Sequence, residues 1–409
     1  MFRSIVNFFI FIFLGMSSLI SCNSLETRWY KGNIHTHSLW SDGDDFLEMA
    51  AIWYKSHGYH FVSFTEHNTV PEGERWVYFP SHYNRADYTE KFGNWLQEYV
   101  SEKDNLVRLH TLQEVKERLE KKDEFLLIEG MELTAPNNVH FNLIPPPRHI
   151  DIEGGSTVDD TFTSCLKQID KAEFDKNAIV TINHPNWEWT LRAKHLVEAK
   201  NIKFLEVCNN CVESNNQGDS KHNSLEEMWD IANTIRLLKN IEPLYAVASD
   251  DAHNYSSQDV LNALPGRGWI MVLARELSSE AIREAMLRGD FYASTGVSLE
   301  KLSFDGKQLY IKVTPQPGVS YKITFVGSLK ETKPDQFVLA SGPKCAYPES
   351  ACKILSQIDD TQATYSLTGK ELYVRAVVTS NRICWQYKET ICWQQAWTQP
   401  VGWTRRMEK

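Results

Sequence analysis

The sequence predicts an α/β fold that is followed by a small antiparallel β domain. Apolar, strand-like runs alternate with helical segments from residue 33 to residue 248, and this alternation is typical of parallel strands joined by crossover helices. Histidine or carboxylate residues follow most of the runs, as they do where a β/α barrel gathers its site at the carboxyl ends of its strands. From about Val297 short runs with a period of two predict antiparallel strands.

The individual elements follow from apolar runs and helical periodicity. In chain order we expect strand 33–37, helix 46–56, strand 61–65, helix 112–121, strand 125–129, strand 178–182, helix 191–199, strand 204–207, helix 225–238, strand 244–248 and helix 278–288. In the C-terminal part we expect strands within 308–313, 320–326 and 371–378. The stretch 69–107 is rich in aromatic and charged residues and contains no clean strand. It is interpreted either as a lid over the site or as a solvated connecting helix.

The first chemical motif is the pair His35 and His37. In a strand, residues i and i+2 lie on the same face, so both imidazoles can reach one metal ion. Imidazole suits zinc, manganese or iron. A single pair of this kind also occurs as an ordinary surface or core feature, so the later motifs carry the prediction.

Five further sites along the chain offer metal-ligand side chains, most of them after a strand-like run. They are Asp42 in the loop after the first motif, His67, Glu132 with His140, and His184, and the series ends with Asp251 and His253. In this order the residues resemble those of the PHP superfamily, the polymerase and histidinol phosphatase domain, over about residues 30 to 297. The resemblance implies a distorted (β/α)7 barrel that binds two or three divalent ions, with zinc, manganese and iron as the candidates.

The same resemblance assigns the ligands. It implies a first ion bound by His35, His37, Glu132 and Asp251; a second held by Glu132, His140 and His184, with Glu132 as the bridge; and a third held by Asp42, His67 and His253. Glu132, Asp251 and His253 are also the residues expected to carry catalysis. Asp250 is expected to support a ligand, and Glu66, which stands where the family usually has Asp, to orient one.

Three residues of the 69–107 stretch are candidates for binding a substrate anion: Arg75, His82 and Arg85. Guanidinium groups suit phosphate and carboxylate because they present paired donors. We therefore expect these side chains to face the metals if the stretch forms a lid.

Three functions compete. The first is a phosphoesterase that uses a metal-bound hydroxide on a di- or trinuclear centre. The second is an amide, ester or carbamate hydrolase with the same centre, which the segment 266–296 favours because it resembles the closing part of carbaryl hydrolase-like members of the family. The third is a non-catalytic, lipid-anchored binding protein. The expected substrate is a small-molecule or glycan-linked phosphoester or carbonyl compound.

The formal net charge of −10 and the lack of a long basic stripe argue against a nucleic-acid partner. At the N-terminus, residues 1–22 are typical of a secretory signal, and Leu19-Ile20-Ser21-Cys22 resembles a bacterial lipobox. We therefore expect export, acylation of Cys22, and anchoring on the periplasmic or cell-surface side of a membrane; a plain cleaved signal peptide is the alternative. Residues 23–297 would form the barrel and 298–409 the β domain.

Export would permit disulfides among the remaining cysteines. Cys345 with Cys352 and Cys384 with Cys392 are the local pairs considered, although four cysteines allow three pairings. Cys208 is interpreted as a packing residue, with Glu206 and Asn209 facing the metal pocket. The C-terminal tryptophans are interpreted as core residues in preference to a carbohydrate platform: Trp385, Trp393, Trp397 and Trp403.

Overall fold

The computed structural model describes residues 27–81, 85–100, 105–339, 344–387 and 389–403. The expected signal segment, with Cys22, lies outside these residues, as does His82. Within the described ranges, no helix has both the length and the apolar character needed to cross a bilayer.

Most strands lie where apolar runs occur, and helices lie between them. The strands are β1 (Arg28–Asn33), β2 (Phe61–Phe64), β3 (Trp76–Tyr78), β4 (Gln97–Val100), β5 (Asn105–Arg108), β6 (Leu126–Glu129), β7 (Met131–Ala135), β8 (Val139–Ile144), β9 (Ile179–Ile182), β10 (Phe204–Asn209), β11 (Tyr245–Ser249), β12 (Trp269–Ala274), β13 (Phe291–Ser294), β14 (Leu299–Phe304), β15 (Gln308–Val313), β16 (Tyr321–Leu329), β17 (Lys353–Ile358), β18 (Gln362–Ser366), β19 (Glu371–Tyr387) and β20 (Thr390–Thr398). The helices are α1 (Leu47–Ser56), α2 (Arg85–Phe92), α3 (Leu112–Leu119), α4 (Val158–Lys171), α5 (Ala193–Glu198), α6 (Leu225–Leu238) and α7 (Ser279–Arg288).

The strands form two large sheets and two small ones, so the molecule is a mixed α/β protein. The nine-stranded sheet has the order β17-β16-β19-β20-β13-β12-β1-β2-β6, and the five-stranded sheet has the order β11-β10-β9-β8-β7. Two isolated parallel bridges connect the two sheets, Thr36 with Ala252 and His67 with Glu132. Both bridges involve or adjoin predicted metal ligands, so the site lies where the two sheets meet.

The expectation of an all-parallel arrangement is wrong for part of the site. Strands β1, β2 and β6 are parallel, as are β9, β10 and β11. However, β7 pairs with β8, and β8 with β9, in antiparallel fashion. The cause is a tight turn between β7 and β8, in which Asn137 and Asn138 adopt left-handed φ angles of 58° and 57°, a conformation that asparagine tolerates.

Some ligands also lie differently along their strands. Strand β1 ends at Asn33, so His35 and His37 follow it and do not lie within it. By contrast, Glu132 lies inside β7 and His140 inside β8. In the register of this hairpin, Thr134 lies opposite His140. Some ligands of the site therefore lie within strands, and others follow strand ends.

The stretch 69–107 is neither a lid nor a connecting helix in its described part. It contains helix α2 and a small antiparallel sheet of order β3-β5-β4. Val107 and Tyr88 are buried in the core cluster that also contains α1 and α3 residues, which fastens this insertion to the side of the fold.

The C-terminal part is antiparallel, as predicted, but it is not a separate set of sheets. Strand β20 pairs with β13, and through it β16, β17 and β19 extend the sheet that contains β1. A second sheet of order β14-β15-β18 covers them. Trp385, Trp397 and Trp403 are buried, in agreement with the core interpretation, whereas Trp393 is 39% exposed.

Cysteines in the described part of the chain are all free thiols, so the two local disulfides considered from the sequence are not formed. Cys208 is buried in the core, as expected for a packing residue. The thiol of Cys392 contacts those of Cys208 and Cys384 by hydrogen bonding, so the hairpin β19–β20 brings its cysteines against strand β10.

Candidate metal centre

Glu132 occupies the middle of a dense cluster of histidines. Its Oε1 atom lies 3.3 Å from His35 Nε2, 3.2 Å from His140 Nδ1 and 3.3 Å from His184 Nε2. Its Oε2 atom lies 2.8 Å from His67 Nδ1. Because each of these histidines comes from a different segment, the carboxylate is the common point of the site.

Asp251 provides a second carboxylate on the side of the first motif. Its Oδ1 atom lies 3.0 Å from His35 Nε2 and 3.1 Å from His37 Nε2. Backbone bonding sets this position, since the amide of Asp251 donates to the carbonyl of His35 at 3.0 Å and the amide of His37 donates to the carbonyl of Ala252 at 2.9 Å.

A third group of side chains lies at the outer edge of the cluster. Asp42 approaches His67 Nε2 at 3.4 Å through Oδ2 and His253 Nε2 at 3.3 Å through Oδ1. The His37 ring stacks on those of His67 and His253, with centroids 4.4 Å and 4.2 Å apart. His37 therefore borders both this group and the inner one.

All nine predicted metal ligands thus converge. They fall into four overlapping groups whose ligand atoms lie close together: His37, Asp42, His67 and His253; His35, His37 and Glu132; His35, His184 and Asp251; and Glu132, His140 and His184. The last group matches the expected second ion, and the first contains the expected third one. The set expected for the first ion does not form one group, since His37 and Asp251 fall in different groups, and Glu132 belongs to two of the four.

The geometry of these groups fits divalent ions. Two ligand atoms that are both about 2.1 Å from one ion are about 3.0 to 3.4 Å apart at octahedral or tetrahedral angles, and most contacts in the cluster fall in that interval. In addition, the buried ring nitrogens His35 Nε2 and His140 Nδ1 have no hydrogen-bond partner. Buried polar atoms are rarely left unpaired, so a cation is the partner these atoms fit.

Glu206 contacts two of the ligands, His35 and His184, and its side chain faces the metal pocket, as predicted from the sequence. Its Oε1 atom accepts from His35 Nδ1 at 2.6 Å and from Ser249 Oγ at 2.5 Å. Its Oε2 atom accepts from the backbone amide of His184 at 2.7 Å. A carboxylate on Nδ1 turns the other nitrogen of the ring, Nε2, towards the centre as a ligand.

Asp250 and Glu66 lie outside the four groups and accept hydrogen bonds from segments that adjoin ligands. Asp250 accepts from Asn33 Nδ2 at 2.6 Å and from the amides of Gly266, Arg267 and Gly268 at 2.9, 2.7 and 2.7 Å. Gly268 is required there, because a Cβ atom would lie 2.5 Å from the Ser249 carbonyl oxygen. Glu66 accepts from Ser38 and Ser41 Oγ, each at 2.5 Å, and so holds the loop that follows His37.

Sequence reasoning missed several residues of the site. Asn183 donates to Glu132 Oε1 at 2.8 Å, Thr134 Oγ1 bonds His67 Nδ1 at 2.6 Å, and Tyr255 donates to the carbonyl of His37 at 2.7 Å. Asn183 adjoins the His184 motif and Thr134 lies two positions after Glu132, which is the periodicity that places side chains on one strand face. Tyr255 had no comparable signal.

Charge within the cluster favours ionised carboxylates. Burial raises the pKa of Glu132, but His35, His140 and His184 outweigh it and hold that pKa well below its usual range. Burial lowers the pKa of His67, yet contacts with Asp42 and Glu132 raise it to about 10. For His253 the same competition raises the pKa to about 9. Without ions, His67 and His253 are therefore protonated at neutral pH, and they pair with ionised carboxylates.

Two ligands have strained backbones. His184 has a φ of 24° and Asp251 a φ of 50°, in the left-handed region that residues other than glycine seldom adopt. Strain of this kind persists where surrounding contacts over-determine the conformation, and it is concentrated at functional sites.

A cavity of about 460 Å³ opens on the cluster. The predicted anion-binding arginines do not line it. Arg75 donates to the carbonyl of Trp40, and Arg85 pairs with Glu98 at 2.6 Å and with Asn105 at 2.8 Å. His82 lies outside the described residues, so binding of an anion by these three residues stays a prediction.

Solved structures with low sequence identity to this chain match its fold. No family model and no curated protein matches the chain. A two-domain protein of Bacteroides vulgatus, described as containing a predicted PHP-like metal-dependent phosphoesterase, is 18% identical, with a TM-score of 0.39, and the match covers 86% of this chain and 90% of that one.

Two further structures match with lower scores. PsfC of Pseudomonas syringae is 12% identical at a TM-score of 0.35, over 63% of this chain and 88% of that one. A proposed metal-dependent phosphoesterase of Bifidobacterium adolescentis is 14% identical at a TM-score of 0.30, over 57% and 91%. Similarity at this level does not assign an activity, so function has to be inferred from the side chains of this chain.

Proposed function

We propose that this chain is a metal-dependent hydrolase of the PHP type, and that it acts as a phosphoesterase. The observation that carries the proposal is the convergence of nine histidine and carboxylate ligands around the shared carboxylate of Glu132, at the floor of a cavity. Divalent ions in such a centre supply a nucleophile by lowering the pKa of a coordinated water, and they offset charge on the reacting group.

The protein's own residues position that chemistry. Glu132 would bridge two ions, Asp251 would hold His35 and His37 to one of them, and His253 with Asp42 and His67 would complete the outer position. Glu206 fixes the orientation of the His35 ring by accepting from Nδ1 at 2.6 Å. Ring positions that are held in this way keep the ligand geometry constant during turnover. No serine or cysteine nucleophile is required.

A hydrolase of carbonyl compounds is the second candidate, acting on amides, esters or carbamates with the same centre. Among the described residues that line the cavity there is no arginine or lysine, which favours a substrate of low negative charge. Zinc, manganese and iron remain the candidate ions, since mixed histidine and carboxylate ligands suit each of them. A non-catalytic binding protein is the outcome if ions bind without turnover.

The test is hydrolysis of p-nitrophenyl phosphate esters and p-nitrophenyl carboxylic esters and carbamates by the purified protein, together with its metal content. We expect chelator-sensitive release of nitrophenol from phosphate esters. In Glu132→Gln, the loss of the bridging carboxylate should lower the rate by more than about 100-fold and reduce bound metal. Glu129→Gln is the matched control, because Glu129 is exposed and lies at the end of β6.

The outcomes separate the candidates. Unchanged hydrolysis by Glu132→Gln would contradict the metal mechanism. Cleavage of carbonyl substrates alone would replace the phosphoesterase by the second candidate, and bound metal without any turnover would leave a binding protein.

We further propose that the strands of the two large sheets that precede residue 298 form the distorted barrel expected from the sequence, with residues 298–409 as the β domain. The bridges Thr36–Ala252 and His67–Glu132 support this proposal, because they connect both sheets around the site. The chain would act outside the cytoplasm, anchored through acylated Cys22, on a small-molecule or glycan-linked substrate. Replacement of Cys22 by serine should release the protein from the membrane fraction; retention there would count against acylation.

A further inference from the structure

The cavity above the cluster has two kinds of wall. Its floor consists of ligands, and its sides come from the β7–β8 turn, from the segment after β10 and from Trp187. The volume of about 460 Å³ lies within the range of about 300–1,000 Å³ typical of small-molecule sites. A phosphoryl group alone would leave most of this space empty, so the cavity is shaped for a larger substrate.

One wall is negative or neutral. Glu213 contributes a carboxylate, and Asn137, Asn138 and Ser214 contribute neutral polar groups. With Asp42, Glu132 and Asp251, four carboxylates line the cavity, and their charge would offset that of two divalent ions. In the described lining there is no arginine or lysine to bind the additional oxygens of a dianion.

Other residues of the lining are aromatic or apolar. The Trp187 ring lies beside two ligands, with centroids 5.5 Å from that of His140 and 5.3 Å from that of His184. Ala135 and Pro136 continue this surface. An aromatic face next to the reacting position can bind a planar or apolar substituent, and stacking of this type contributes about 0.5–1.5 kcal/mol beyond area burial.

We infer that the substrate is a phosphodiester and not a phosphomonoester, and that one of its two ester groups packs on Trp187. This inference rests on the proposed phosphoesterase function and specifies its substrate class. A diester carries one negative charge at phosphorus, whereas a monoester carries close to two at neutral pH, and only the diester has a second arm to fill the cavity.

The reaction balances without a further reactant. The oxygen of one water forms a new bond to phosphorus, and the bond from phosphorus to the leaving oxygen breaks. One water proton ends on the leaving alcohol, and the other stays on or dissociates from the phosphomonoester product. The greater negative charge of that product disfavours its retention beside Glu213, which assists release.

Three substrates with the same leaving group test the inference: p-nitrophenyl phosphate, methyl p-nitrophenyl phosphate and bis-p-nitrophenyl phosphate. They separate charge from the size of the second arm. We expect kcat/KM to be at least about tenfold higher for the methyl diester than for the monoester. The reason is that no arginine or lysine in the described lining compensates the second negative charge of the monoester. The bis-aryl diester should exceed the methyl diester by about 3- to 10-fold through a lower KM.

Variants of Trp187 and Glu213 test which residue causes each substrate preference. Trp187→Ala should raise KM for the bis-aryl diester more than KM for the methyl diester, whereas Trp187→Phe should retain the lower KM for the bis-aryl diester. Trp189→Ala is the matched control, since Trp189 stacks on His222 at 3.9 Å and not on a ligand. Glu213→Gln should raise kcat/KM for the monoester more than for either diester.

Each result has one meaning. A preference for the monoester, with chelator-sensitive activity present, would overturn this inference and leave the phosphoesterase proposal intact. Equal kinetics of Trp187→Ala and the unmodified protein on both diesters would overturn the assigned role of Trp187. No chelator-sensitive hydrolysis of any of the three would overturn the proposed function itself.

Discussion

At the scale of single residues, the site depends on side chains that hold ligands as much as on the ligands. Glu206 is fully buried and accepts four hydrogen bonds, from His35, Ser249, the His184 amide and Asn209. Asn209 in turn donates to Asp251 Oδ2 at 3.0 Å. One carboxylate thus controls the direction of two ligands directly and of a third through an amide.

Glu206→Gln should weaken metal binding without removing a ligand. Glutamine keeps the volume but loses the charge that favours the His35 tautomer with Nε2 facing the centre, and such supporting changes typically cost about 10- to 100-fold in metal affinity. The dissociation constant can be measured by competition with a chromophoric chelator. Glu198→Gln, an exposed position at the end of α5, is the control, and equal affinities of both variants would refute the supporting role.

Metal affinity should also rise with pH. In the metal-free protein, contacts with Asp42 raise the pKa values of His67 and His253 above their usual range, to about 10 and about 9, against the effect of burial. An ion must displace those protons, so affinity should increase by up to about tenfold per pH unit for each proton displaced. Chelator competition between pH 6 and pH 9 measures this, and a constant affinity would show that the imidazoles are already neutral.

The same shifts determine the stability of the metal-free protein. A histidine whose folded pKa exceeds its unfolded value of about 6.5 stabilises the fold fully below that value, and the contribution is lost as pH rises through the folded pKa. Thermal unfolding of chelated protein should therefore show stability that declines as pH rises from about 6.5 to the folded pKa values of about 9 and about 10.

At the scale of elements, helix α6 shows how a buried charge fixes a loop. Ser224 caps α6 in a capping box with Glu227, a signal readable from the sequence. Further along, Arg236 is fully buried and donates to the carbonyls of Leu196, Ala199 and Ile202, at 3.1, 2.7 and 3.0 Å. These bonds attach α6 to the connection that leads into β10, the strand that carries Glu206.

Arg236→Met should destabilise the protein by about 3 kcal/mol or more, because several buried carbonyls lose their donor at once. Urea unfolding followed by circular dichroism measures the change in the free energy of unfolding. Lys239→Met, at the exposed end of the same helix, should stay within about 0.5 kcal/mol. If the two variants had similar free energies of unfolding, water molecules would be donating to these carbonyls in place of the guanidinium.

At the scale of the whole molecule, the C-terminal strands and the metal-binding part share a sheet and a buried ion pair. Arg375 on β19 donates to Asp230 on α6 through Nε at 2.8 Å and Nη2 at 2.6 Å. Tyr373 donates to the same carboxylate at 2.7 Å, and the guanidinium lies 4.4 Å from the Trp229 ring. The C-terminal part therefore contacts the helix that supports β10.

Arg375→Met should cost about 3–5 kcal/mol, because it leaves the Asp230 carboxylate buried without its cation. The double variant Arg375→Met/Asp230→Asn should recover part of this loss, since no uncompensated charge remains and the amide oxygen still accepts from Tyr373. Differential scanning calorimetry compares the two. A double variant less stable than the single one would show that the pair is not the dominant contact.

The sequence by itself determined the local chemistry of this protein. Ligand types and their spacing, such as His35 with His37 and Asp251 with His253, are set by neighbours in the chain, and all nine predicted ligands meet in the structure. Apolar runs and helical periodicity likewise predicted five of the seven helices in the described residues, including α6 at its observed bounds, and eight of the twenty strands. These signals depend on contacts within a few residues, so a pattern is enough to reveal them.

Only the tertiary structure decided how these parts are arranged. It placed Glu132 inside an antiparallel hairpin, folded the 69–107 stretch into a small sheet, and extended one sheet into the C-terminal part. It also paired His35 with Glu206, 171 residues away, and Arg375 with Asp230, 145 residues away. The physical reason is that such contacts join groups with no common local pattern, and their energy comes from burial and charge compensation that exist only once the chain has folded.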